Sequence, residues 1–328
     1  MHIVITGGSG FLGLRLAHAL LRDGVDGALV DTLTLVDRAH GGTINDPRVT
    51  LATGDIADPA FVAQFMLQRV DILYHLAAVV SSEAEADFDL GMKVNIDASR
   101  LLLEACRRAG NTPRVVFTSS VAVFGPTAGE QGITETTSVD PQSSYGMEKA
   151  VGELLLKDYS RRGFIDGVVL RLPTISVRPG LPNRAASSFA SGIIREPLSG
   201  AASVCPVDPA TALWLMSPRG AIGALVHAAV LDPRDIAARR VINLPGITVT
   251  VGEMLDALAQ MGGAEARARV TFAQDPAVEA IVASWPRKWD DSAARALGFA
   301  GDADFAEIVQ SFIDEDLPAQ RQLVRLSA

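Results

Sequence analysis

At 328 residues, with 48% hydrophobic and 20% charged side chains, the chain can bury a large core and exceeds one small domain, so two lobes are expected. A formal net charge of -9 and a pI near 5.1 exclude an electrostatic drive toward nucleic acid or anionic membrane, because the overall field repels phosphate polymers; a small-molecule substrate fits better. The two cysteines, Cys106 and Cys205, lack CxxC spacing, so neither a disulfide framework nor a zinc or other metal site is indicated, and a reducing cytoplasm is the expected compartment.

The chain opens on the apolar run His2–Thr6, without the basic segment, apolar core and cleavage site of a signal peptide, and no later apolar stretch is long enough to span a bilayer. Strands are predicted at His2–Thr6, Thr32–Asp37, Val49–Thr53, Ile72–Leu76, Arg114–Ser119 and Gly167–Arg171. Helical spacing appears between them near Phe11–Arg22, Pro59–Gln68, Asp87–Ala109 and Tyr145–Arg162. That alternation predicts a Rossmann-type, doubly wound parallel α/β sheet. From Leu172 the pattern loosens into loops and isolated helices, and a single later strand, Arg240–Leu244, is expected to return to the sheet. The expected division is a dinucleotide-binding domain over 1–171, rejoined by about 220–245, with the remainder of 172–328 forming a smaller, mostly helical substrate lobe. No internal repeat or low-complexity tract is present.

Thr6-Gly7-Gly8-Ser9-Gly10-Phe11-Leu12-Gly13 follows the first strand and opens the first helix, the context in which glycines let backbone N–H groups approach a pyrophosphate. The spacing fits both GxGxxG and GxxGxxG, and a strand–helix turn that merely needs glycine is the plain alternative. Asp37 weighs against that alternative. It ends the second strand, where a carboxylate accepts hydrogen bonds from the adenosine ribose and repels a 2′-phosphate, favouring NAD over NADP, although Arg38 beside it softens the preference. Asp55-Ile56 after the third strand and Leu76-Ala77-Ala78 after the fourth fall at successive carboxyl ends of strands, where such sheets bind ligands. His75 is open to two readings, proton carrier or packed core residue; without a second ligand at recognisable spacing the packed reading is preferred.

Tyr145 and Lys149 stand four apart in Ser144-Tyr145-Gly146-Met147-Glu148-Lys149, so on a helix they share one face. A phenol titrates near 10 in water, roughly, but a neighbouring ammonium favours the phenolate and makes it a usable base. Lysine supplies that charge and also reaches a ribose hydroxyl. Upstream, Phe117–Gly125 ends the fifth strand in hydroxyl residues, and Ser120 is placed to bond a reacting oxygen, or, on the bland reading, to cap the strand end.

TGGSGFLG, Asp37-Arg38, GDI, HLAA, Val94-Asn95, TSSVAVFG and YGMEK together resemble the extended short-chain dehydrogenase/reductase superfamily over roughly the first 180 residues. The resemblance implies catalysis by Ser120, Tyr145 and Lys149, a supporting role for Asn95, and contact of Pro173 with the nicotinamide amide. Members include nucleotide-sugar epimerases and dehydratases, which carry an Arg-Asp-Phe-Val-x-Val-x-Asp-like stretch. Here the corresponding place reads Ala212-Leu213-Trp214-Leu215-Met216-Ser217-Pro218-Arg219-Gly220, which counts against a nucleotide sugar. That segment, Val177–Ser188 and Trp285-Pro286-Arg287-Lys288-Trp289-Asp290 instead resemble the D-erythronate dehydrogenase branch.

A four-carbon sugar acid needs a cation for its carboxylate and polar side chains for its hydroxyls. Arg178, Arg184 and Arg219 are the candidates for the first, and Ser81, Ser82, Asn183, Ser187 and Ser217 for the second, each of them also open to a purely structural role. The expected reaction is hydride transfer from C2 to NAD with Tyr145 as base. A nucleotide-sugar 4-epimerase or dehydratase is the enzymatic alternative, and a non-catalytic NAD-sensing module the other. The resemblance, more than periodicity, suggests a homodimer through the helices at 87–109 and 145–162.

Overall fold

The computed structural model describes residues 1–40, 44–125, 132–181 and 187–327. Strands β1 (His2–Thr6), β2 (Thr32–Asp37), β3 (Val49–Thr53), β4 (Ile72–His75), β5 (Arg114–Ser120) and β6 (Asp166–Leu172) alternate with helices α1 (Phe11–Asp23), α2 (Pro59–Phe65), α3 (Ser81–Ala86), α4 (Phe88–Gly91), α5 (Ala98–Ala109) and α6 (Ser144–Arg161). Beyond them come β7 (Thr174–Ile175), α7 (Ser188–Leu198), β8 (Ser203–Cys205), β9 (Ala212–Met216), α8 (Pro218–Val230), β10 (Val241–Asn243), β11 (Ile247–Thr250), α9 (Val251–Ala268) and β12 (Val270–Phe272). The described chain ends in α10 (Pro276–Ala283), α11 (Ser292–Ala296), α12 (Phe305–Glu315) and α13 (Leu317–Ser327).

The chain divides into two compact units. The first comprises Met1–Val123, Ser143–Arg171 and Ile222–Asn243. It is built on a seven-stranded sheet ordered β10-β6-β5-β4-β1-β2-β3. β1 pairs in parallel with both β2 and β4, so the strand order reverses beside β1, and the carboxyl ends around that reversal are where a sheet of this kind opens a crevice. Parallel strands covered on both faces read as continuous apolar runs, and Ile3, Val4 and Ile5 are all fully buried. One core cluster joins Val4, Val36, Leu73, Val115 and Val169 to Leu102, Cys106 and Leu156 on the helices above.

The second unit comprises Phe124–Gln142, Leu172–Ala221 and Leu244–Ala328, and is centred on α7, α9 and α12 with Ile193, Met254, Leu258, Ile308 and Phe312 in its core. Residues 124–142, expected in the first lobe, belong to this unit.

The helix expected at 87–109 forms as a continuous run: Asp87 caps it by accepting from the Leu90 N–H, and a π-helical turn over Met92–Asp97 is inserted between α4 and α5. Two expectations are corrected. Among the described residues beyond Leu172 there are five strands besides the one expected, in a three-stranded sheet β11-β9-β7 and a two-stranded sheet β12-β8. Two to five residues each, they lie among loops, without the regular alternation with helical spacing that marks the main sheet. Helix α2 stops at Phe65, short of the expected Gln68.

Candidate active site

The glycine-rich turn is shaped by close approach. Gly7 has a φ of +71°, and a Cβ there would lie 2.8 Å from the Ala77 nitrogen; one on Gly13 would collide with the Gly7 carbonyl. Gly10 donates to Gly7 at 3.0 Å and caps α1 with no side chain, so the first N–H groups of the helix, at Phe11, Leu12 and Gly13, meet no capping oxygen. That bare amino end, walled by backbone where any side chain would intrude, fits a pyrophosphate. Beside it, the half-buried Asp37 accepts from the Ser9 N–H at 3.0 Å and from the Arg38 N–H at 2.8 Å, which fixes its carboxylate against the turn.

The next strand ends continue the cleft. Asp55 accepts from Ala57 N–H and pairs with Lys93 at 2.8 Å, and the Lys93 ammonium holds its carboxyl below the usual range. Ile56 is buried, while Leu76, Ala77 and Ala78 are partly exposed at the end of β4. Leu76 and Ala77 donate back to the carbonyl and hydroxyl of Thr6, which ties the β4 end to the β1 end. These residues therefore fit a dinucleotide laid across the sheet edge.

Helix α6 carries the candidate pair Tyr145 and Lys149. Ser143 caps it by accepting from Gly146 N–H, and the next turn carries Tyr145 and Lys149. Lys149 is 3% exposed; its Nζ donates to the Thr118 carbonyl at 2.9 Å and lies 5.6 Å from the Tyr145 ring centroid. Burial pulls the ammonium down to about 8, against the raising influence of Glu148 and Glu153. Thr118 precedes Ser120 by two residues on β5, so one hydrogen bond ties the lysine to the strand that carries the serine. Ser120 is partly exposed, and its Oγ accepts from the Ala122 N–H at 3.1 Å.

Sequence reasoning missed the polar layer beneath this pair. Glu153 forms a two-point ion pair with Arg171, at 2.6 and 2.9 Å, and accepts from Ser119 Oγ at 2.5 Å; Arg171 also donates to Asn243 at 3.3 Å. Both ion-pair partners are buried. Glu153 follows Lys149 by four, so the Tyr145–Lys149 spacing already extended to it. On the other side, Asn95 in the π-helical turn exchanges two hydrogen bonds with the Val79 backbone, at 2.8 and 3.0 Å, and donates to Glu148 at 2.5 Å. Burial pushes the Glu148 carboxyl up. Asn95 thus links the segment after β4 to the catalytic helix. His75 meets Thr6 at 2.7 Å and Ser99 at 2.8 Å through its two ring nitrogens, and burial lowers it to about 3.

The substrate candidates are scattered. Ser81 and Ser82 open α3 in the first unit and are partly exposed. In the second unit, Pro173 is buried, Arg178 donates to Ser187 at 3.4 Å, and Ser217 is buried, its Oγ accepting from Gly220 N–H and its own N–H donating to Asp302. Ser217 is thereby fixed at the start of α8. Arg219 pairs with Glu315 at 2.7 Å. Asn183 and Arg184 lie outside the described residues. Among the described residues no group of three or more His, Cys, Asp or Glu side chains forms a metal cage, and no helix is long and apolar enough to cross a membrane.

Hydride chemistry at a carbinol is what a tyrosine over a buried ammonium serves when a dinucleotide cleft lies beside it, and fold and site together define the class: an oxidoreductase using a nicotinamide dinucleotide. The NAD dependent epimerase/dehydratase family model matches residues 3–212, and the chain belongs to that family, within the extended short-chain dehydrogenase/reductases. It is 54% identical over 96% of its length to 98% of a D-erythronate dehydrogenase from Cupriavidus necator, and 45% identical over 97% to the whole of one from Haemophilus influenzae. Among solved structures it is similar to a nucleoside-diphosphate-sugar epimerase from Agrobacterium tumefaciens, with TM-score 0.93 and 40% identity over 98% of this chain and 96% of that one.

Proposed function

We propose that the chain oxidises the C2 hydroxyl of D-erythronate, or a closely related four-carbon sugar acid, to the 2-oxo acid with NAD. The observation that carries this reading is near end-to-end identity of 54% and 45% to two enzymes named for that substrate. NAD, when bound, supplies the hydride acceptor. The Lys149 ammonium favours the Tyr145 phenolate, which takes the hydroxyl proton and becomes the neutral phenol as hydride leaves C2, and the same ammonium would donate to a ribose hydroxyl. Ser120 donates to the developing alkoxide. Asp37 takes the adenosine ribose hydroxyls and sets the preference for NAD over NADP. Gly7, Gly10 and Gly13 keep side chains off the pyrophosphate, and Asn95 and Pro173 support the nicotinamide end. Arg178, whose Nη2 donates to the hydroxyl of Ser187, another of the polar candidates, receives the substrate carboxylate.

A second reading has one specific support, the 40% identity to a structure named as a nucleoside-diphosphate-sugar epimerase. Against it stands the Ala212–Gly220 segment, which lacks the nucleotide-binding pattern of such enzymes. The test follows NADH absorbance with NAD and a panel of four-carbon aldonates, with UDP-sugars and Tyr145→Phe alongside. D-erythronate-dependent NADH, lost in the variant, supports the proposal. Interconversion of a UDP-sugar without net NADH from any aldonate replaces it with the epimerase.

A further inference from the structure

The tripeptide Arg178-Pro179-Gly180 leaves β7 without joining any helix or strand, yet its backbone is held at four points by three side chains from two helices. Arg178 donates its N–H to Ser191 Oγ at 3.0 Å and accepts from Arg195 Nη1 on its carbonyl at 2.7 Å, both partners belonging to α7. Gly180 donates its N–H to Gln320 Oε1 at 2.6 Å and accepts from Gln320 Nε2 at 3.2 Å, so one amide of α13 closes on both sides of a single residue. Pro179 has no N–H to satisfy. Ser191, Arg195 and Gln320 are 1%, 2% and 4% exposed. A turn over the surface commonly leaves such groups to water; here they are met by buried side chains, which removes the conformational freedom of the segment.

Helix α13 reaches the same stretch of chain again one residue later, where Arg321 donates Nε and Nη2 to the Leu198 carbonyl at the end of α7, each at 3.3 Å. Adjacent residues of α13 therefore hold the backbone two residues after Arg178 and the end of α7. Gly180 has a φ of +96°, a conformation that side-chain-bearing residues avoid, and the Gln320 amide fits the backbone so presented.

We propose that Gln320 is a positioning residue for substrate recognition: by locking the Gly180 backbone it fixes the direction in which Arg178 is presented, so that the carboxyl-terminal helix sets affinity for the acid without touching it. The inference rests on the reading that Arg178 receives the substrate carboxylate. Gln320→Leu removes both hydrogen bonds at similar volume. Gln320→Glu keeps the acceptor for Gly180 N–H and removes the donor to its carbonyl. Gln322→Ala alters an exposed neighbour on the same helix and is the control.

The measurements are KM for the acid, KM for NAD, kcat, thermal midpoint and amide deuterium exchange of residues 178–181. Gln320→Leu is expected to raise KM for the acid about tenfold, the size of effect given by two lost hydrogen bonds. Exchange at 178–181 rises with it, kcat and KM for NAD stay close to wild type, and the thermal midpoint falls by no more than about 5 °C. Gln320→Glu moves the same two readouts in the same direction, and Gln322→Ala moves none. Faster exchange with KM for the acid unchanged overturns the proposal, since the clamp is then structural alone. Parallel loss in kcat, both KM values and thermal midpoint overturns it too. A wild type that turns over no aldonate defeats the functional reading separately, and the same variants are then judged on KM for whichever substrate it converts.

Discussion

Replacing Glu153 by Gln keeps the volume and an oxygen for Ser119 but removes the carboxylate that balances Arg171 behind the catalytic strand. The two side chains are 5% and 7% exposed and meet at 2.6 and 2.9 Å, so water offers little compensation for the remaining charge. Removing one partner of a buried ion pair costs about 3–5 kcal/mol. At about 2–4 °C per kcal/mol for a domain of this size class, the thermal midpoint should fall on the order of 10 °C. Arg171→Met alone should cost a similar amount, because it strands the carboxylate. The double variant removes both charges and should recover most of the loss, leaving about 1 kcal/mol for the hydrogen bond that Asn243 loses. The assay is urea unfolding of all four proteins by far-ultraviolet circular dichroism, giving a coupling free energy of about 2 kcal/mol or more. Additive single effects, or singles costing under about 1 kcal/mol, would falsify the view that this pair is a desolvated unit.

Four shorter predictions follow the same reasoning. Tyr145→Phe should lower kcat by about 10²–10⁴-fold while NAD affinity, read by calorimetry, changes little. With Lys149 lowered to about 8, the ammonium is present below that pH and lost above it, so the pH profile of NAD affinity should decline through about pH 8, and Lys149→Met should abolish that limb. His75 resists protonation down to about 3 when folded but takes up a proton near 6.5 when unfolded, so stability should fall as pH drops across that window, and His75→Gln should flatten the slope of the unfolding midpoint against pH. Gly13→Ala places a methyl against the Gly7 carbonyl, and calorimetry should show NAD binding reduced at least about tenfold with the fold retained by circular dichroism.

Much of the site was legible because its chemistry is carried by short runs at fixed places in an alternating pattern. The glycine turn, Asp37 and the Tyr145–Lys149 spacing each need only one strand end or one helical turn to be positioned. The strands of the main sheet declare themselves through apolar runs that alternate with helical spacing, which is why six of the seven and the returning one at 240–244 could be placed within a residue or so. The strands of the two small sheets could not, since they lie outside that alternation and owe their existence to partners far along the chain.

What the sequence determined by itself was therefore the order of elements and which candidate groups fall at strand ends and on one helical face, both local properties of the chain. Tertiary structure decided everything that depends on a residue meeting another remote in sequence. It put a π-helical turn into the helix at 87–109, from which Asn95 reaches Val79 and Glu148, and it buried Glu153 against Arg171. It set Ser217 at the start of α8 with its Oγ accepting from the Gly220 N–H, and it laid Gln320 across the Gly180 backbone, 140 residues away. Burial and hydrogen-bond partnership are relations between distant segments, and no window of sequence contains both halves of them.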